Sequence, residues 1–267
     1  MSRRSLILAI VIVVVVMGGM VSGVFADSIQ RALALPVNAT RQTQQNTTQM
    51  ATVTAGQGTA KATATAAMPG QMPITMLAND SFQRQDQALW GTASDGKAWM
   101  GDANSAQPFS VVGNVGQIAN AQNTFDALLG PTGDNVEVTV NGSVSAFDGN
   151  TNLGVVVRWA DTNNWYKALI DGTRLRILKN VQGTQKPLAK ASFSAQAGVS
   201  YTLRFRAVGT TLFAKAWQSG TQEPAQWLIT ATDTTLTSGK MGIRVVIQNG
   251  TTIKVNSFLS TTASSTI

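Results

Sequence analysis

The stretch from Gly154 to Asn180 reads GVVVRWADTNNWYKALIDGTRLRILKN and carries the clearest fold signal in this 267-residue chain. Apolar and polar side chains alternate along it, which is the period of strands with one buried face. Clusters of Asp, Asn and Gly interrupt the alternation twice, as turn residues do. The stretch therefore predicts three antiparallel strands joined by two tight turns.

These two turns define a predicted register. We place them at Asp161-Thr162-Asn163-Asn164 and at Asp171-Gly172, the second being a strong two-residue hairpin signal. Trp159 then lies opposite Tyr166, and Tyr166 opposite Ile177, on a face that is apolar throughout. The other members of that predicted inner face are Val155, Val157, Ala168, Ile170 and Leu175.

The predicted outward face of the same strands carries a row of like charges. The register places Arg158 beside Lys167 and Lys167 beside Arg176, with Trp165 and Arg174 close by. Like charges directly opposite each other in a sheet are unfavourable, and an anionic ligand would relieve the repulsion. A solvated basic face is the alternative interpretation of this row.

A second hairpin is predicted from Tyr201 to Trp217, with its turn at Val208-Gly209. Its inner pairs are Tyr201 with Ala216, Leu203 with Ala214, and Phe205 with Leu212. Its outer pairs are Thr202 with Lys215, Arg204 with Phe213, and Arg206 with Thr211, and Trp217 is two positions beyond Lys215. Two independent turns that each produce one apolar face favour an all-β fold of packed antiparallel sheets.

The first 26 residues have the features of an export segment. Arg3 and Arg4 precede an apolar run from Leu6 to Ala26, so positive charge stays in the cytoplasm and the following chain crosses the membrane. The run has the length of a membrane-spanning helix. Its dense part, which ends at Met17, also fits a signal peptide cleaved after Val24-Phe25-Ala26. Both an uncleaved anchor and a cleaved signal remain open.

Residues 27–76 are rich in Thr, Gln, Ala and Asn and have almost no aromatic side chain to bury. Such a segment cannot offset the entropy lost on ordering, so we expect a disordered spacer. Short alternating strands begin at Leu77. The predicted organisation is a signal anchor or signal peptide over residues 1–26, the spacer over 27–76 and a β-sandwich over 77–267.

Two missing residue types restrict the chemistry. The chain contains no cysteine and no histidine, which excludes disulfides, thiolate zinc sites and Ser-His or Cys-His hydrolase schemes. The net charge is +7, but five basic residues against one acidic residue precede Leu77, so the domain is only mildly basic. This balance favours anionic polymers in general over nucleic acid, which needs a denser basic surface.

Several segments share their strand and turn pattern with a known family. They are Asp80-Ser81-Phe82-Gln83-Arg84, the stretch from Trp90 to Trp99, the meander from Gly154 to Gly183, Tyr201 to Trp217, and Gly239 to Arg244. Together they resemble the concanavalin A-like lectin/glucanase superfamily, and within it the laminin G-like jelly-roll modules of bacterial surface proteins. The resemblance covers roughly Leu77 to Thr262 and implies a two-sheet antiparallel jelly-roll sandwich with carbohydrate binding as the favoured function.

Catalytic and metal motifs are weak by comparison. Glucanases of this superfamily carry a Glu-x-Asp-x-x-Glu strand that this chain lacks, and its two glutamates are Glu137 and Glu223. Glycoside hydrolysis needs two carboxyl groups beside the bond, so a solvated strand residue is the simpler interpretation of Glu137. Asp148-Gly149-Asn150-Thr151-Asn152 resembles the opening of a calcium loop, but the later ligand positions fail, and we predict a hairpin loop and no cofactor.

The sequence therefore predicts an exported, surface-tethered module without enzymatic activity. It would bind a glycan or an anionic polysaccharide, and it would attach to the membrane through residues 6–26. Trp165 and Trp217 are predicted stacking platforms. The predicted anion contacts are Arg158, Lys167, Arg174, Arg176, Arg204 and Lys215. Two alternatives are a structural or adhesive sandwich without a small-ligand site and a glycoside-processing enzyme that uses Glu137.

Overall fold

A computed structural model describes residues 74–264 as sixteen strands and one short 3₁₀ turn at Asp102–Asn104. The strands are β1 (Met76–Asp80), β2 (Gln87–Ala88), β3 (Met100–Gly101), β4 (Phe109–Val112), β5 (Val115–Ala119), β6 (Asn123–Leu128), β7 (Val136–Val144), β8 (Leu153–Asp161), β9 (Asn164–Ile170), β10 (Arg174–Val181), β11 (Thr184–Ser192), β12 (Ser200–Val208), β13 (Thr211–Gln218), β14 (Ile229–Thr232), β15 (Lys240–Ile247) and β16 (Thr252–Thr262).

The predicted export segment over residues 1–26 lies outside the described residues, as does the predicted spacer up to residue 73. Within residues 74–264, no helix has the length and apolar character needed to cross a membrane.

The strands form two antiparallel sheets. The larger sheet has nine strands in the order β14-β13-β12-β7-β16-β5-β4-β2, and β1 pairs with the second half of β16. The smaller sheet has seven strands in the order β11-β10-β9-β8-β15-β6-β3. The inner faces of both sheets contribute to one continuous hydrophobic core, so the prediction of an all-β fold with two antiparallel sheets is confirmed. The finer jelly-roll assignment stays a prediction.

The core follows the alternation read from the sequence. On β7, Val136, Val138 and Val140 are buried while the residues between them are partly exposed. Tyr201 and Phe205 on β12 are also buried, as the second predicted hairpin requires. Successive side chains of a strand point to opposite faces, so every other side chain lies between the two sheets. There it packs against side chains of the opposite sheet.

The carboxylate of Asp80 holds the first part of the domain together. It is 1% exposed, accepts hydrogen bonds from the Phe82 amide at 2.8 Å and the Trp99 indole at 2.7 Å, and pairs with both terminal nitrogens of Arg84. These donors stabilise the ionised form, and they outweigh the effect of burial, so the pKa of Asp80 lies below its usual value. The Asp80 to Arg84 segment thus has a structural role in the turn that follows β1.

The registers predicted around two turns are wrong by two residues. Ile170 lies opposite Leu175, and Ala216 lies opposite Leu203, because the central turn residues are Gly172-Thr173 and Gly209-Thr210. Both glycines have positive φ, a conformation that favours glycine at the first central position of a tight turn. A shift of two residues leaves every side chain on its predicted face, which is why the core was assigned correctly.

The first predicted turn is correct, but a bulge follows it. Asp161 lies opposite Asn164 as expected, whereas Val157 lies opposite Tyr166, so an irregularity falls between these pairs. Arg158 occupies the irregularity with a φ of 51°. The bulge reverses the alternation of β8, and Trp159, predicted in the core, packs instead on the outward face of the smaller sheet.

Arg158 itself points into the protein, which corrects its prediction as an outward anion contact. Its side chain donates to the carbonyl oxygens of Asp134 at 2.8 and 3.0 Å, Gly209 at 2.7 Å and Leu236 at 2.9 Å. The residue is 2% exposed. These acceptors belong to the β6–β7 connection, the β12–β13 turn and the β14–β15 connection, so one guanidinium joins three loops at one end of the domain.

We expect Arg158→Met to lower the free energy of unfolding by about 2 to 4 kcal/mol. Three carbonyl groups lose their donors, at about 1 to 3 kcal/mol for each group left buried, and the relief of burying a charge offsets part of this loss. Urea denaturation measures the effect. The exposed Arg174 provides a matched control, because Arg174→Met should change stability by less than about 0.5 kcal/mol. Equal losses in both variants would contradict the anchoring role of Arg158.

Candidate functional site

A pocket of about 540 Å³ opens on the outward face of the smaller sheet. Its wall combines short polar side chains, two cations and an aliphatic surface. The lining residues are Thr124, Phe147, Gly149, Asn150, Asn152, Lys167, Leu169, Asp171, Thr173, Arg176, Leu178, Gln185 and Val246. They come from β6, β9, β10, β11 and β15, from the turn between β9 and β10, and from the connection before β8, so the pocket extends across several strands of this face.

Lys167 is the most deeply placed cation of the pocket. It lies on β9 opposite Val156 of β8 and Leu178 of β10, and its side chain is 3% exposed. The ammonium donates to Oδ1 of Asn152 at 2.8 Å. Burial, together with the nearby cations of Arg244 and Arg176, lowers the pKa of Lys167 to about 7 against the opposing effect of Asp126. The lysine therefore changes charge near neutral pH.

Gly154 on β8 makes room for this lysine. A Cβ atom at Gly154 would lie 2.3 Å from Cε of Lys167 and 2.6 Å from the carbonyl oxygen of Arg244. No other side chain fits there unless the lysine moves. The glycine thus lets the lysine stem cross β8 and bring its ammonium to Asn152 at the pocket wall.

Arg176 supplies the second cation of the pocket. It lies diagonally across β9 and β10 from Lys167, is half-buried, and has Asp171 at 3.7 Å. On its other side Lys190 of β11 lies directly opposite Arg176 in the sheet. Lys167 and Arg176 share this face, but they are diagonal neighbours and not directly opposite as predicted, Arg158 is absent from the row, and Lys190 lies opposite Arg176. Arg174 is the first residue of β10. It is exposed and does not line the pocket.

Trp165 is placed differently from the exposed stacking platform that was predicted. It lies on the outward face but is 2% exposed, its indole donates to the Thr162 carbonyl at 3.0 Å, and the guanidinium of Arg244 lies 4.8 Å above its ring. It packs in a second hydrophobic cluster with Leu128, Val156, Leu169 and Leu178, against which Met100 and Trp159 also pack. The recessed face buries this ring beneath its neighbours, so no sugar can stack on it.

An ion pair between Arg244 and Asp126 lies beside this cluster. Burial raises the pKa of Asp126, and the pairing with Arg244 only partly opposes the effect. Oδ1 of Asp126 is buried and has no hydrogen-bond partner among the described residues. Asp126 and Arg244 do not line the pocket. Arg244 packs over Trp165, and Asp126 pairs with Arg244.

The remaining predicted site residues lie on the other side of the sandwich. Arg204, Lys215 and Trp217 project from the outward face of the larger sheet, where Arg204 is opposite Lys215 and not Phe213. Glu223 binds both cations at 2.7 Å, and the guanidinium of Arg204 lies 6.0 Å from the Trp217 ring. The predicted single site is therefore divided between two opposite faces, because the two hairpins belong to different sheets.

Glu137, the candidate catalytic residue, belongs to this same charged network. Its carboxylate binds Arg206 at 2.6 Å and Arg204 at 3.4 Å. Both carboxylate oxygens are therefore held by guanidinium groups of β12 on the outward face of the larger sheet, away from the pocket.

The predicted hairpin loop at Asp148 to Asn152 is a different structure. It connects β7 of the larger sheet to β8 of the smaller one, and Gly149, Asn150 and Asn152 line the pocket. Residues 74–264 contain no group of three or more acidic side chains that could hold a metal ion. The oxygen-rich segment from Asp148 to Asn152 thus contributes to the pocket wall.

The chain matches no protein-family model and no curated protein. Solved structures do resemble it. The xylan β-1,4-xylosidase of Bacillus halodurans C-125 is 14% identical with a TM-score of 0.52, and the match covers 68% of this chain and 38% of that enzyme. A protein of unknown function from Shewanella oneidensis MR-1 is 13% identical with a TM-score of 0.50, covering 80% of this chain and 98% of that one.

A third similar structure is the carbohydrate binding module CBM66 from Bacillus subtilis, at 14% identity and a TM-score of 0.47, covering 62% of this chain and 92% of that module. The matches with TM-scores of 0.52 and 0.50 indicate a shared β-sandwich fold, and identities of 13 and 14% do not extend that likeness to ligands. The chain also spans well under half of the xylosidase, so the activity of that enzyme is no guide to this protein.

Burial of Lys167 predicts a pH-dependent stability. Its pKa is about 7 in the folded protein and about 10.4 when unfolded, so the unfolded chain binds more protons between these values and stability rises with pH across that window. Relative to Lys167→Met, the wild type should gain about 2 kcal/mol of unfolding free energy between pH 6 and pH 9. Urea denaturation at several pH values measures this difference.

The exposed Lys254 serves as the control for this experiment. Lys254→Met should leave a difference from the wild type that is flat with pH, because the Lys254 side chain is exposed to solvent in the folded protein. A flat difference for Lys167→Met as well would contradict the burial of its ammonium.

Proposed function

We propose that this protein is a glycan-binding module of the concanavalin A-like jelly-roll type and that its ligand occupies the pocket beside Lys167. The observation that carries the proposal is the composition of the pocket wall. Hydrogen-bonding groups of Asn152, Asp171 and Thr173 surround an aliphatic surface formed by Leu169 and Leu178. A sugar ring presents hydroxyl groups at its edge and C–H groups on its faces, and this wall offers partners for both.

The size and position of the pocket support the same proposal. Small-ligand sites have volumes of about 300 to 1,000 Å³ and combine an apolar surface with a few placed polar groups. The pocket falls within that range at about 540 Å³.

The number of carboxylates at the pocket supports a proposal of binding without hydrolysis. Glycosidases of the usual kind place two carboxyl groups on either side of the bond that breaks. Asp171 is the single carboxylate among the lining residues, and its Oδ1 accepts hydrogen bonds from the backbone amides of Thr173 and Arg174. Recognition in the pocket therefore relies on hydrogen bonds and charge, with no exposed tryptophan and no catalytic pair.

The proposed location is the cell surface. The positive charges and apolar run before Asp27 favour export, so the sandwich would face outside the cell where polysaccharides are found. Attachment through residues 6–26 would hold the module near the membrane.

A wedge variant tests the pocket directly. Thr124 lines the pocket from the outward face of β6, and Thr124→Trp should fill the pocket and reduce the affinity for a bound oligosaccharide at least tenfold, while tryptophan remains favourable in a strand. Calorimetric titration of the full-length chain against neutral and acidic oligosaccharides measures the affinity.

The matched control is Thr252→Trp, at an outward position of β16 in the larger sheet. It should bind as the wild type does. Failure of the wild type to bind any member of the oligosaccharide panel, or equal losses in both variants, would contradict the proposed function.

A further inference from the structure

The charge distribution around the pocket is unbalanced. Lys167 and Arg176 line the pocket with Asp171 as the single lining carboxylate, and Lys190 lies opposite Arg176 on the adjacent strand. Like charges that face each other across a sheet are unfavourable, so this arrangement carries a repulsion that Asp171 alone does not balance. An anion placed between the cations would relieve it.

The ammonium of Lys167 also has unused hydrogen-bonding capacity. A charged lysine has three N–H donors, and the structure gives this one a single acceptor, Oδ1 of Asn152. A buried donor without a partner is costly, and the ammonium lies at the wall of a pocket open to solvent. An acceptor oxygen on a ligand could take the remaining donors.

The other charged groups around Lys167 do not supply this acceptor. Arg244 on β15 and Arg176 on β10 are cations, and Asp126 on β6 is already paired with Arg244. Asp171 lies 3.7 Å from Arg176. The nearby charges therefore leave room for one more anion.

We infer that the pocket recognises an acidic sugar and holds its anionic oxygen group between Lys167 and Arg176. The group is a uronate carboxylate or a sulfate ester, since both present oxygens that a guanidinium fork and an ammonium can bind together. This inference rests on the proposed glycan-binding function and names the class of glycan.

Charged and uncharged forms of the same oligosaccharide separate the two proposals. Oligogalacturonate and its fully methyl-esterified form differ only in the carboxylate, and sulfated and unsulfated dextran oligomers test the sulfate. At pH 6.5 we expect at least tenfold tighter binding of one charged ligand than of its uncharged partner, and that ligand identifies the group. Equal binding within both pairs overturns the inference and leaves the proposed function intact, whereas no binding of any glycan contradicts the proposed function.

Proton uptake provides a second readout that involves Lys167 specifically. An anion beside the ammonium raises the lysine pKa, so binding at pH 7.5 should take up about half a proton or more per ligand. Calorimetric titration in triethanolamine and in Tris, two buffers that differ in ionisation enthalpy and supply no competing oxyanion, measures this number. The uncharged ligand should cause no uptake, and uptake of less than about a tenth of a proton with the charged ligand overturns the placement beside Lys167.

Two variants and a control complete the test. Lys167→Met should abolish the proton uptake, and Arg176→Gln should weaken binding of the charged ligand about tenfold, a larger loss than for the uncharged form. Arg204→Gln, on the opposite face of the sandwich, is the control and should bind the charged ligand as the wild type does. A larger loss in Arg204→Gln than in Arg176→Gln would overturn the assignment to this pocket.

Discussion

The buried guanidinium of Arg158 is the constraint on which the arrangement of this domain depends. It satisfies carbonyl oxygens from three separate connections, and those connections join strands of both sheets. A guanidinium has five N–H donors in a fixed plane and cannot lose its charge, so it needs several acceptors when it is buried. The β8 bulge meets that need by turning Arg158 inward, at the cost of a positive φ at a non-glycine residue.

The bulge also determines which side chains meet on the outward face. With regular pairing, Arg158 would lie beside Lys167 on that face. In the observed register Val156 lies opposite Lys167. Gly154, the next residue of β8 on the same face, has no side chain, and this lets the Lys167 side chain lie across β8. The ammonium then meets Asn152 at the pocket wall. The inward position of Arg158 and the pocket position of Lys167 thus both depend on one irregularity in β8.

The sequence predicted the faces of the strands better than the site that they build. Errors of two residues at Gly172 and Gly209 left the core correct because strand periodicity repeats every two residues. The bulge at Arg158 was not predictable, since it depends on acceptors at Asp134, Gly209 and Leu236 that lie far away in the chain. The pocket was missed for a related reason. Its wall joins Thr124, Asn152 and Gln185 from separate segments of the chain. The ring of Trp165 is likewise covered by Arg244, which is far from it in sequence.

The central claim is that a glycan binds on the outward face of the smaller sheet, beside Lys167. Backbone amide chemical shifts of the full-length chain, followed by NMR during separate titrations with oligogalacturonate and with sulfated dextran oligomers, test it most directly. The account predicts saturable shift changes concentrated at Asn150 to Asn152 and along β9 and β10 near Lys167 and Arg176, with little change around Arg204 and Trp217. Changes concentrated at Arg204 and Trp217, or none that saturate, would contradict it.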